Sequence, residues 1–129
     1  MAAGEFSSAE RHEIDRAIRA AEQASRYEFS VYVGHAEGEP KAFANRLHAS
    51  LVAPSRSVLI LVDPAARALE VVTGVEVRRN LSDHEVELAV LAMQSDFAAG
   101  DLAGGLKRGI CMLAEHARAP ETLHSAERS

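Results

Sequence analysis

Five consecutive apolar residues at positions 58–62 constrain the fold of this chain more than any other feature. The run is too short for a helix and rich in residues that favour β-structure, so it predicts a strand buried on both faces. Asp63-Pro64 ends the run, because proline lacks a backbone N–H and restricts the residue before it. Residues 68–73 predict a second strand, and the short connection favours an antiparallel hairpin.

Two capping boxes predict where helices begin. Ser7 and Ser82 are each followed three residues later by a glutamate, and in this motif the two side chains satisfy each other's free backbone N–H groups. Apolar side chains then recur at helical spacing, which predicts two amphipathic helices. The predicted inward residues are Ile14, Ala17, Ile18, Ala21 and Ala24 in the first helix, and Val86, Val90, Met93 and Phe97 in the second.

A strand and a helix are predicted between the first helix and the hairpin. Residues 27–33 are rich in β-formers, and Pro40 suits the first turn of a helix. That helix is expected to turn Phe43, Leu47 and Leu51 inward. Because a strand, a helix and the strand at 58–62 follow one another, the two strands are predicted to be parallel.

The last helix is predicted to start at Asp101, directly after Gly100 has ended the helix before it. Its inward residues are expected to be Leu102, Leu106, Ile110 and Leu113. The order of elements predicts an α/β fold, a three-layer α-β-α sandwich. Its small mixed sheet combines a parallel βαβ unit with the antiparallel hairpin, and helices cover both faces.

Length and composition limit the class of protein. The 129 residues suit one domain, expected at residues 6–118 with a flexible N-terminus at 1–5 and a disordered tail at 119–129. The net charge of −5 and the absence of Trp argue against a nucleic-acid partner. No apolar run approaches the ~18 residues of a membrane span. The start has no signal-peptide pattern, and the single Cys111 cannot form an internal disulfide, so we expect a cytoplasmic protein without membrane insertion.

Three segments carry a resemblance to a known family. They read FSSAERHEIDRAI near the start, VLILVDPAARALEVVTGVEVRRNLSD in the middle, and FAAGDLAGGL near the end. Together they resemble the TPM domain, a family of thylakoid-lumen phosphatase-like, photosystem-repair and receptor-maturation proteins. Through the segments SVYVG and LAMQSDFAAGDL, the chain resembles still more closely an actinobacterial subgroup without an assigned function.

The resemblance implies two candidate properties, divalent-ion binding and phosphatase activity, which have been attributed to some TPM domains. The chain departs from the family in two respects. TPM proteins are commonly secreted or membrane-anchored, whereas no signal or anchor is legible here. The usual Gly-Tyr-Gly-Leu-Glu connection is replaced by residues 73–77, TGVEV, which lack one glycine and the tyrosine.

Several acids are predicted to meet where the parallel strands end, the edge at which open α/β sheets bind ligands. Asp63 follows the second strand, and the helix after Ser82 is about 25 Å long at 1.5 Å per residue, which returns Asp96 and Asp101 to the same edge. Glu37 and Glu39 lie in a loop nearby, whereas Glu76 and Asp83 are expected at the opposite edge. Such carboxylates suit Ca²⁺ or Mg²⁺, so Asp63, Asp96 and Asp101 are the candidate metal ligands.

Structural roles compete for each of these acids. Asp101 is well placed as an N-cap, Asp63 before proline is a common turn residue, and Asp96 can simply be solvated. Asp83 in a first helical turn complements the helix dipole. The Arg78-Arg79 pair is expected on a solvated turn, and Arg67 is the arginine nearest to the acidic edge.

The histidines and the cysteine offer no recognisable site. The six histidines lack metal-ligand spacing and are expected at the surface, with only His35 near the favoured edge. Cys111 lies next to the inward Ile110, so we expect a buried, inert thiol.

The sequence therefore leaves two functions open and assigns no catalytic residue. The first is a binding module that engages a protein partner, with a divalent-cation site at the acidic edge. The second is a weak metal-assisted phosphatase that hydrolyses phosphomonoesters. The binding module is preferred, because no nucleophile with a neighbouring base is recognisable.

Overall fold

The predicted hairpin is part of a three-stranded sheet in the computed structural model, which describes residues 6–118, and its first strand is the central one. Strand β1 (Glu28–Val33) pairs in parallel with β2 (Ser57–Asp63), which pairs antiparallel with β3 (Ala68–Thr73). The strand order is β1-β2-β3. Every residue of β2 is buried, as expected for the middle strand of a sheet that is covered on both faces.

Four α-helices surround the sheet within the described residues, and the predicted mixed three-layer α/β fold is confirmed. They are α1 (Ser8–Ser25), α2 (Pro40–Ala49), α3 (Asp83–Ala98) and α4 (Leu102–Ala117). Short 3₁₀ turns occupy Pro54–Arg56 and Val77–Arg79.

The two faces of the sheet have separate cores. Val58, Ile60 and Val62 point to the face that α1, α3 and α4 cover, and α4 lies between the other two helices. Leu59 and Leu61 point to the other face, which α2 covers. The alternation along β2 thus divides one apolar run between two helical layers.

Both predicted capping boxes are present. The Glu10 N–H donates to Ser7 Oγ and the Ser7 N–H donates to Glu10 Oε1. Ser82 and Glu85 repeat the arrangement at the start of α3. These serines therefore fix the first residues of α1 and α3, because they satisfy N–H groups that the helices leave free.

The inward stripes of two helices differ from the prediction. In α1 Ala24 is exposed and Ser25 is buried, with its hydroxyl donating to the Ala21 carbonyl at 2.7 Å. In α3 Ala89 lies fully buried beside Met93, whereas the predicted Val90 is only partly buried. Small residues let the helix approach the core closely, so they occupy positions that a hydrophobicity pattern assigns to larger neighbours.

The surface role expected for all histidines is wrong for His48. This side chain lies on the buried face of α2, and its Nε2 lies 3.0 Å from the Ser57 carbonyl oxygen. A buried imidazole needs such a partner, and one ring nitrogen can supply the N–H. Ala44 and His48 are the buried residues of α2, and the predicted inward residues Phe43 and Leu47 flank them half-buried.

The burial predicted for Cys111 is also wrong, because its side chain is exposed. Gly105 and Gly109 lie on the side of α4 that faces α3. A Cβ added to Gly105 would meet the Phe97 ring, and one added to Gly109 would meet Met93. The buried arc of α4 therefore extends towards its glycines and away from Cys111.

The predictions of a flexible N-terminus at residues 1–5 and a disordered tail at 119–129 concern positions outside the described range.

Candidate functional site

The carboxyl edge of the sheet, formed by residues 33–39, 63–68 and 96–102, contains an open cleft of about 470 Å³. The turn between β2 and β3 forms one wall, and the junction of α3 and α4 forms the other. A volume of this size is within the usual range for ligand sites. The residues that line it are Val62, Asp63, Pro64, Arg67, Ala68, Leu69, Gln94, Phe97, Ala98, Gly100 and Leu102.

Backbone geometry fixes the wall at the junction of the two helices. Gly100 adopts φ of +86° after the end of α3, its N–H donates to the Phe97 carbonyl, and the Asp101 N–H donates to the Asp96 carbonyl, both at 2.9 Å. This pair of bonds is a Schellman motif, which ends a helix with a residue in the left-handed conformation. The FAAGD segment of the sequence therefore encodes the end of α3.

Asp63 ties two loops of the carboxyl edge together. The Ala36 N–H donates to its Oδ2 at 3.0 Å and the Ala66 N–H donates to its Oδ1 at 3.2 Å. The residue is only 3% exposed. The bond from Ala36 lowers the pKa of Asp63, and Ala66 and the nearby His35 act in the same direction against the opposing effect of burial.

The other two candidate ligands have partners of their own. Asp101 is the N-cap of α4, because the Gly104 N–H donates to its carboxylate at 2.9 Å. Asp96 Oδ1 lies 3.8 Å from Arg108 Nη1. Glu39 caps α2 by accepting from the Lys41 and Ala42 N–H groups. The structural roles foreseen for Asp63 and Asp101 are thus present, and Asp96 pairs with an arginine.

The edge assignment itself is confirmed, since Asp63 lines the same cleft as Gly100 and Leu102 on either side of Asp101. Glu76 is at the other edge, where its N–H donates to the Ser55 carbonyl just before β2. Among residues 6–118, no three acid, histidine or cysteine side chains gather in a way that could hold a metal ion. The ion site at Asp63, Asp96 and Asp101 stays a prediction.

Arg67 and His35 are two further titratable side chains close to this edge. Arg67 lines the cleft, is exposed, and has φ of 54°, an unusual backbone conformation for a residue with a side chain. His35 is 79% exposed at its side chain, and its Nδ1 lies 3.6 Å from Asp63 Oδ2. An exposed guanidinium beside an apolar cleft is suited to an anionic group on a ligand.

The amino edge, formed by residues 26–28, 51–57 and 74–83, carries a polar network that no sequence pattern predicts. Arg56 lies 5.1 Å from the centre of the Tyr27 ring and 3.3 Å from Glu76, and it donates to the Arg26 carbonyl. Ser55 Oγ donates to the other oxygen of Glu76 at 3.1 Å. The residues of this network come from three separate parts of the sequence, so no local motif predicts the network.

The fold and the cleft define a small three-layer α/β domain with an open site at the carboxyl ends of its parallel strands. The chain belongs to the family described as "Domain of unknown function (DUF5130)", whose model matches residues 2–114. An uncharacterised protein of Mycobacterium tuberculosis strain H37Rv is 31% identical over 100 residues, which cover 78% of this chain and 60% of that protein. The corresponding protein of strain CDC 1551 / Oshkosh gives the same values. The matched region thus spans less than two thirds of these relatives.

Three structures solved by NMR share the fold. The BA42 protein of the psychrophilic bacterium Bizionia argentinensis has a TM-score of 0.72 and 22% identity, and the match covers 87% of this chain and 81% of that one. The N-terminal domain of a P. gingivalis protein gives 0.72 and 19%, with coverages of 88% and 76%. The N-terminal domain of the Corynebacterium glutamicum protein cg2496 gives 0.73 and 17%, with coverages of 88% and 75%.

These comparisons establish a family and a fold, and none of the names states an activity or a ligand. No helix among the described residues is long and apolar enough to cross a membrane.

Proposed function

We propose that this domain is a protein-interaction module related to TPM domains, and that the cleft at the carboxyl edge is its binding site. The observation that carries the proposal is the combination of an apolar, ligand-sized cleft with an exposed arginine at its rim. The relation to TPM domains rests on the three sequence segments, of which FAAGD forms one wall of the cleft. A cytoplasmic location is part of the same proposal, in keeping with the single cysteine.

The lining of the cleft indicates the chemistry of its ligand. Most lining residues are apolar, and Leu69 and Phe97 come from opposite walls. Both oxygens of Asp63 already accept backbone N–H groups, so this carboxylate is committed to its two loops. Arg67 is the cation of the lining. The ligand is therefore expected to be a segment of a protein partner that inserts an apolar side chain and carries a carboxylate next to it.

A matched pair of small probes tests this proposal. N-acetyl-leucine carries a leucine side chain and a carboxylate, whereas N-acetyl-leucinamide carries the same side chain without charge. We expect millimolar N-acetyl-leucine to shift the amide signals of residues 67–69 and 94–102. The neutral probe should shift the same signals less at equal concentration, because it lacks the interaction with Arg67.

Two variants make the test specific. Arg67→Asn removes the guanidinium and keeps a residue that tolerates a positive φ, so the two probes should then bind equally. Ala98→Leu adds bulk at an exposed helical position of the cleft and should abolish both responses. Arg19→Gln, on the exposed face of α1, is the control and should change nothing. Shifts that are scattered over the surface, or absent with both probes, would contradict the proposal.

The second candidate function is a metal-assisted phosphatase, which the position of Arg67 favours. Phosphoryl transfer benefits from a cation near the transferring group, and Arg67 lines the cleft next to Asp63. Ca²⁺ or Mg²⁺ would bind through Asp63, Asp96 and Asp101, and at Asp63 it would share oxygens that already accept the Ala36 and Ala66 N–H groups.

A titration with each ion tests this candidate. An ion that binds only the folded chain raises the melting temperature by mass action. Asp63→Asn combined with Asp101→Asn should abolish that increase, and asparagine remains a good N-cap at position 101. Hydrolysis of p-nitrophenyl phosphate should require the ion. If millimolar Ca²⁺ and Mg²⁺ change neither the melting curve nor the amide spectrum, the ion site and the phosphatase are both excluded.

A further inference from the structure

The outer side of β3 carries backbone groups that face away from the sheet. The Gly74 N–H donates to the Ser57 carbonyl at 3.0 Å, in the register of the β2–β3 ladder. Hydrogen-bonded pairs alternate along an antiparallel ladder, so the even-numbered residues of β3 bond β2. Leu69, Val71 and Thr73 therefore turn their N–H and C=O groups outward. Since β3 is the last strand in the strand order, these groups lie at an open edge of the sheet.

Within residues 6–118, folding uses little of this open edge. Arg78 donates to the Thr73 carbonyl. No hydrogen bond of the described residues reaches the backbone of Leu69 or Val71 from outside the hairpin. Every residue of β3 is half-buried, whereas every residue of β2 is buried. Two residues of β3 thus present both an N–H and a C=O group to an incoming strand.

Helix α3 forms an apolar wall beside the open edge. Gln94 and Phe97 of this helix line the cleft together with Leu69 of β3, so one side of α3 faces the edge. Val90 and Leu91 lie about one turn before Gln94 on that side, because residues three or four apart are neighbours on a helix. Val90 is half-buried and Leu91 is 55% exposed. The apolar surface of the cleft thus continues along α3.

The cleft is one end of a groove between β3 and α3. The strand leaves the carboxyl edge, and the helix returns to it. Two residues of a strand span about 6.7 Å and one turn of a helix spans about 5.4 Å. With Leu69 beside Gln94 at the cleft, Val71 is therefore level with Val90 and Leu91. The groove runs from the cleft towards the amino edge.

We propose that the carboxy-terminal segment of a partner protein adds to β3 as an antiparallel fourth strand, with its last side chain in the cleft. An extended chain is the ligand whose N–H and C=O groups repeat at the spacing of Leu69 and Val71. Antiparallel pairing places the end of that chain at the Leu69 end of the groove, where Arg67 lines the cleft. The inference rests on the proposed function of the cleft and specifies the form of its ligand.

Charge has a smaller part in this binding than the backbone. Asp63 and Asp101 lie at the same end of the groove as Arg67, although each accepts backbone N–H groups. Glu70 belongs to the alternate set of β3 side chains, which points to the face that α2 covers, and Lys41 is near it. The ligand is thus held by its backbone and apolar side chains, and its terminal carboxylate sets its direction.

A second copy of this chain fits the open edge less well. Leu69 and Val71 lie on either side of Glu70. Two β3 strands related by a twofold axis would therefore pair Leu69 with Val71 and set Glu70 opposite Glu70. Like charges directly opposite each other destabilise a strand pair. A partner strand can place a neutral residue at that position.

The tetrapeptide acetyl-Thr-Val-Thr-Leu with a free carboxylate tests the inference. In the proposed register its leucine pairs with Leu69, its valine pairs with Val71, and the threonine between them is opposite Glu70. The N–H groups of the valine and leucine then donate to β3, whereas the N–H of that threonine points to solvent. Binding should slow the hydrogen exchange of the Leu69 and Val71 amides and leave Glu70, whose N–H already faces β2, unchanged.

Two N-methylated peptides separate strand addition from contact with the cleft alone. A methyl group on the valine nitrogen removes one ladder hydrogen bond and should weaken binding by roughly tenfold or more. A methyl group on the nitrogen of the threonine between valine and leucine is the matched control and should weaken binding much less. Titrations followed by amide shifts measure both affinities.

A pair of variants tests the same bond from the side of the protein. Val71→Pro removes the outward N–H, and proline is tolerated on an edge strand at such a position. Val71→Ala loses the valine side chain and keeps the N–H. The proline variant should bind the tetrapeptide roughly tenfold more weakly than the alanine variant, whereas N-acetyl-leucine, which reaches only the cleft, should bind both alike. The N-methylated peptides test the unaltered chain, so the result does not depend on the proline variant folding.

The outcomes distinguish this inference from the proposed function. Equal affinities of the two N-methylated peptides would overturn strand addition, and binding of N-acetyl-leucine would then still support the cleft as a binding site. If neither N-acetyl-leucine nor the tetrapeptide binds, both proposals fail. Dimerisation that protects the Leu69 and Val71 amides without peptide would assign the edge to a second copy and would also overturn the inference.

Discussion

The two edges of the sheet differ in the charged side chains that bind free backbone groups: carboxylates do so at the carboxyl edge, whereas the amino edge uses guanidinium groups in addition to carboxylates such as Glu22 and Glu85. At the carboxyl edge, carboxylates accept backbone N–H groups: Asp63 from Ala36 and Ala66, Glu39 from Lys41 and Ala42, and Asp101 from Gly104. At the amino edge, guanidinium groups donate to backbone carbonyls, Arg56 to Arg26 at the end of α1 and Arg78 to Thr73 at the end of β3. Each edge thus satisfies the backbone groups that its helices and strands leave free.

The difference shows how to separate structure from function in a chain rich in charge. A carboxylate or guanidinium that already bonds the backbone is explained by folding. Arg67 at the carboxyl edge is exposed, and within residues 6–118 its side chain forms no ion pair or hydrogen bond. This charge, which folding does not use, lines the apolar cleft. It is accordingly the centre of the proposed binding site.

The largest expected effect lies midway between the edges. Ile60 is fully buried at the centre of β2, and Ile60→Ala should lower the free energy of unfolding by about 2–5 kcal/mol through lost burial and a residual cavity. Urea denaturation followed by circular dichroism measures it. The slope of the transition should stay unchanged while its midpoint falls. An unchanged midpoint would mean that Ile60 is not buried in the strand that connects the two edges.

Glycine substitutions should expose a difference in packing between the edges. Gly74→Ala places a Cβ against two backbone carbonyls of the amino edge, and we expect a cost of about 1–3 kcal/mol. Gly34→Ala is the matched change at the carboxyl edge, where the nearest atom is 3.4 Å away, and it should stay within about 0.5 kcal/mol. Equal costs in urea denaturation would contradict the view that only the amino edge is packed loop against loop.

Capping should account for the next effect. Asp101→Ala removes the N-cap of α4 and should cost about 0.5–2 kcal/mol, whereas Asp101→Asn keeps a capping oxygen and should cost much less. Thermal melts of the two variants measure the difference. If both changes cost the same, the charge of Asp101 and not its hydrogen bond would be what matters at the carboxyl edge.

Local signals in the sequence predicted most of the fold. Both capping boxes and the hairpin are confirmed because each depends on residues only a few positions apart, within reach of simple rules of hydrogen bonding and burial. The parallel pairing of β1 and β2 follows equally from chain connectivity. The end of α3 and the start of α4 were predictable for the same reason, since Gly100 and Asp101 are neighbours.

The errors have one physical origin, namely contacts between distant parts of the chain. His48 can be buried because its Nε2 has a hydrogen-bond partner in the Ser57 carbonyl of β2. No local sequence pattern predicts that contact. Cys111 is exposed because Gly109 turns the buried arc of α4 towards Met93. For the candidate site, chain connectivity placed Asp63 at the correct edge. It could not predict that the Ala36 N–H donates a hydrogen bond to the Asp63 carboxylate.

The last expected effect is a pH dependence that tests whether the charge of Asp63 supports the fold. Asp63→Asn keeps one oxygen that can accept an N–H but places its NH₂ group against the other N–H, so the charge is lost together with one of the two hydrogen bonds. The folded-state pKa of Asp63 is lowered, chiefly by the Ala36 N–H, whereas the unfolded value is about 3.9. Its stabilising contribution is therefore fully present above the unfolded pKa and disappears as the pH falls through the lower folded pKa.

Urea midpoints measured at intervals from about pH 5 down to about pH 2 should show this loss, because that range spans the ordinary carboxylate titration. The wild-type midpoint should fall more steeply with decreasing pH than that of Asp63→Asn, and the two curves should converge at the acid end. Asp15→Asn, at an exposed position on α1, is the control and should run parallel to the wild type. Parallel curves for Asp63→Asn as well would mean that the carboxylate holds its two loops as a neutral acceptor would. The difference between the edges would then concern hydrogen bonding and not charge.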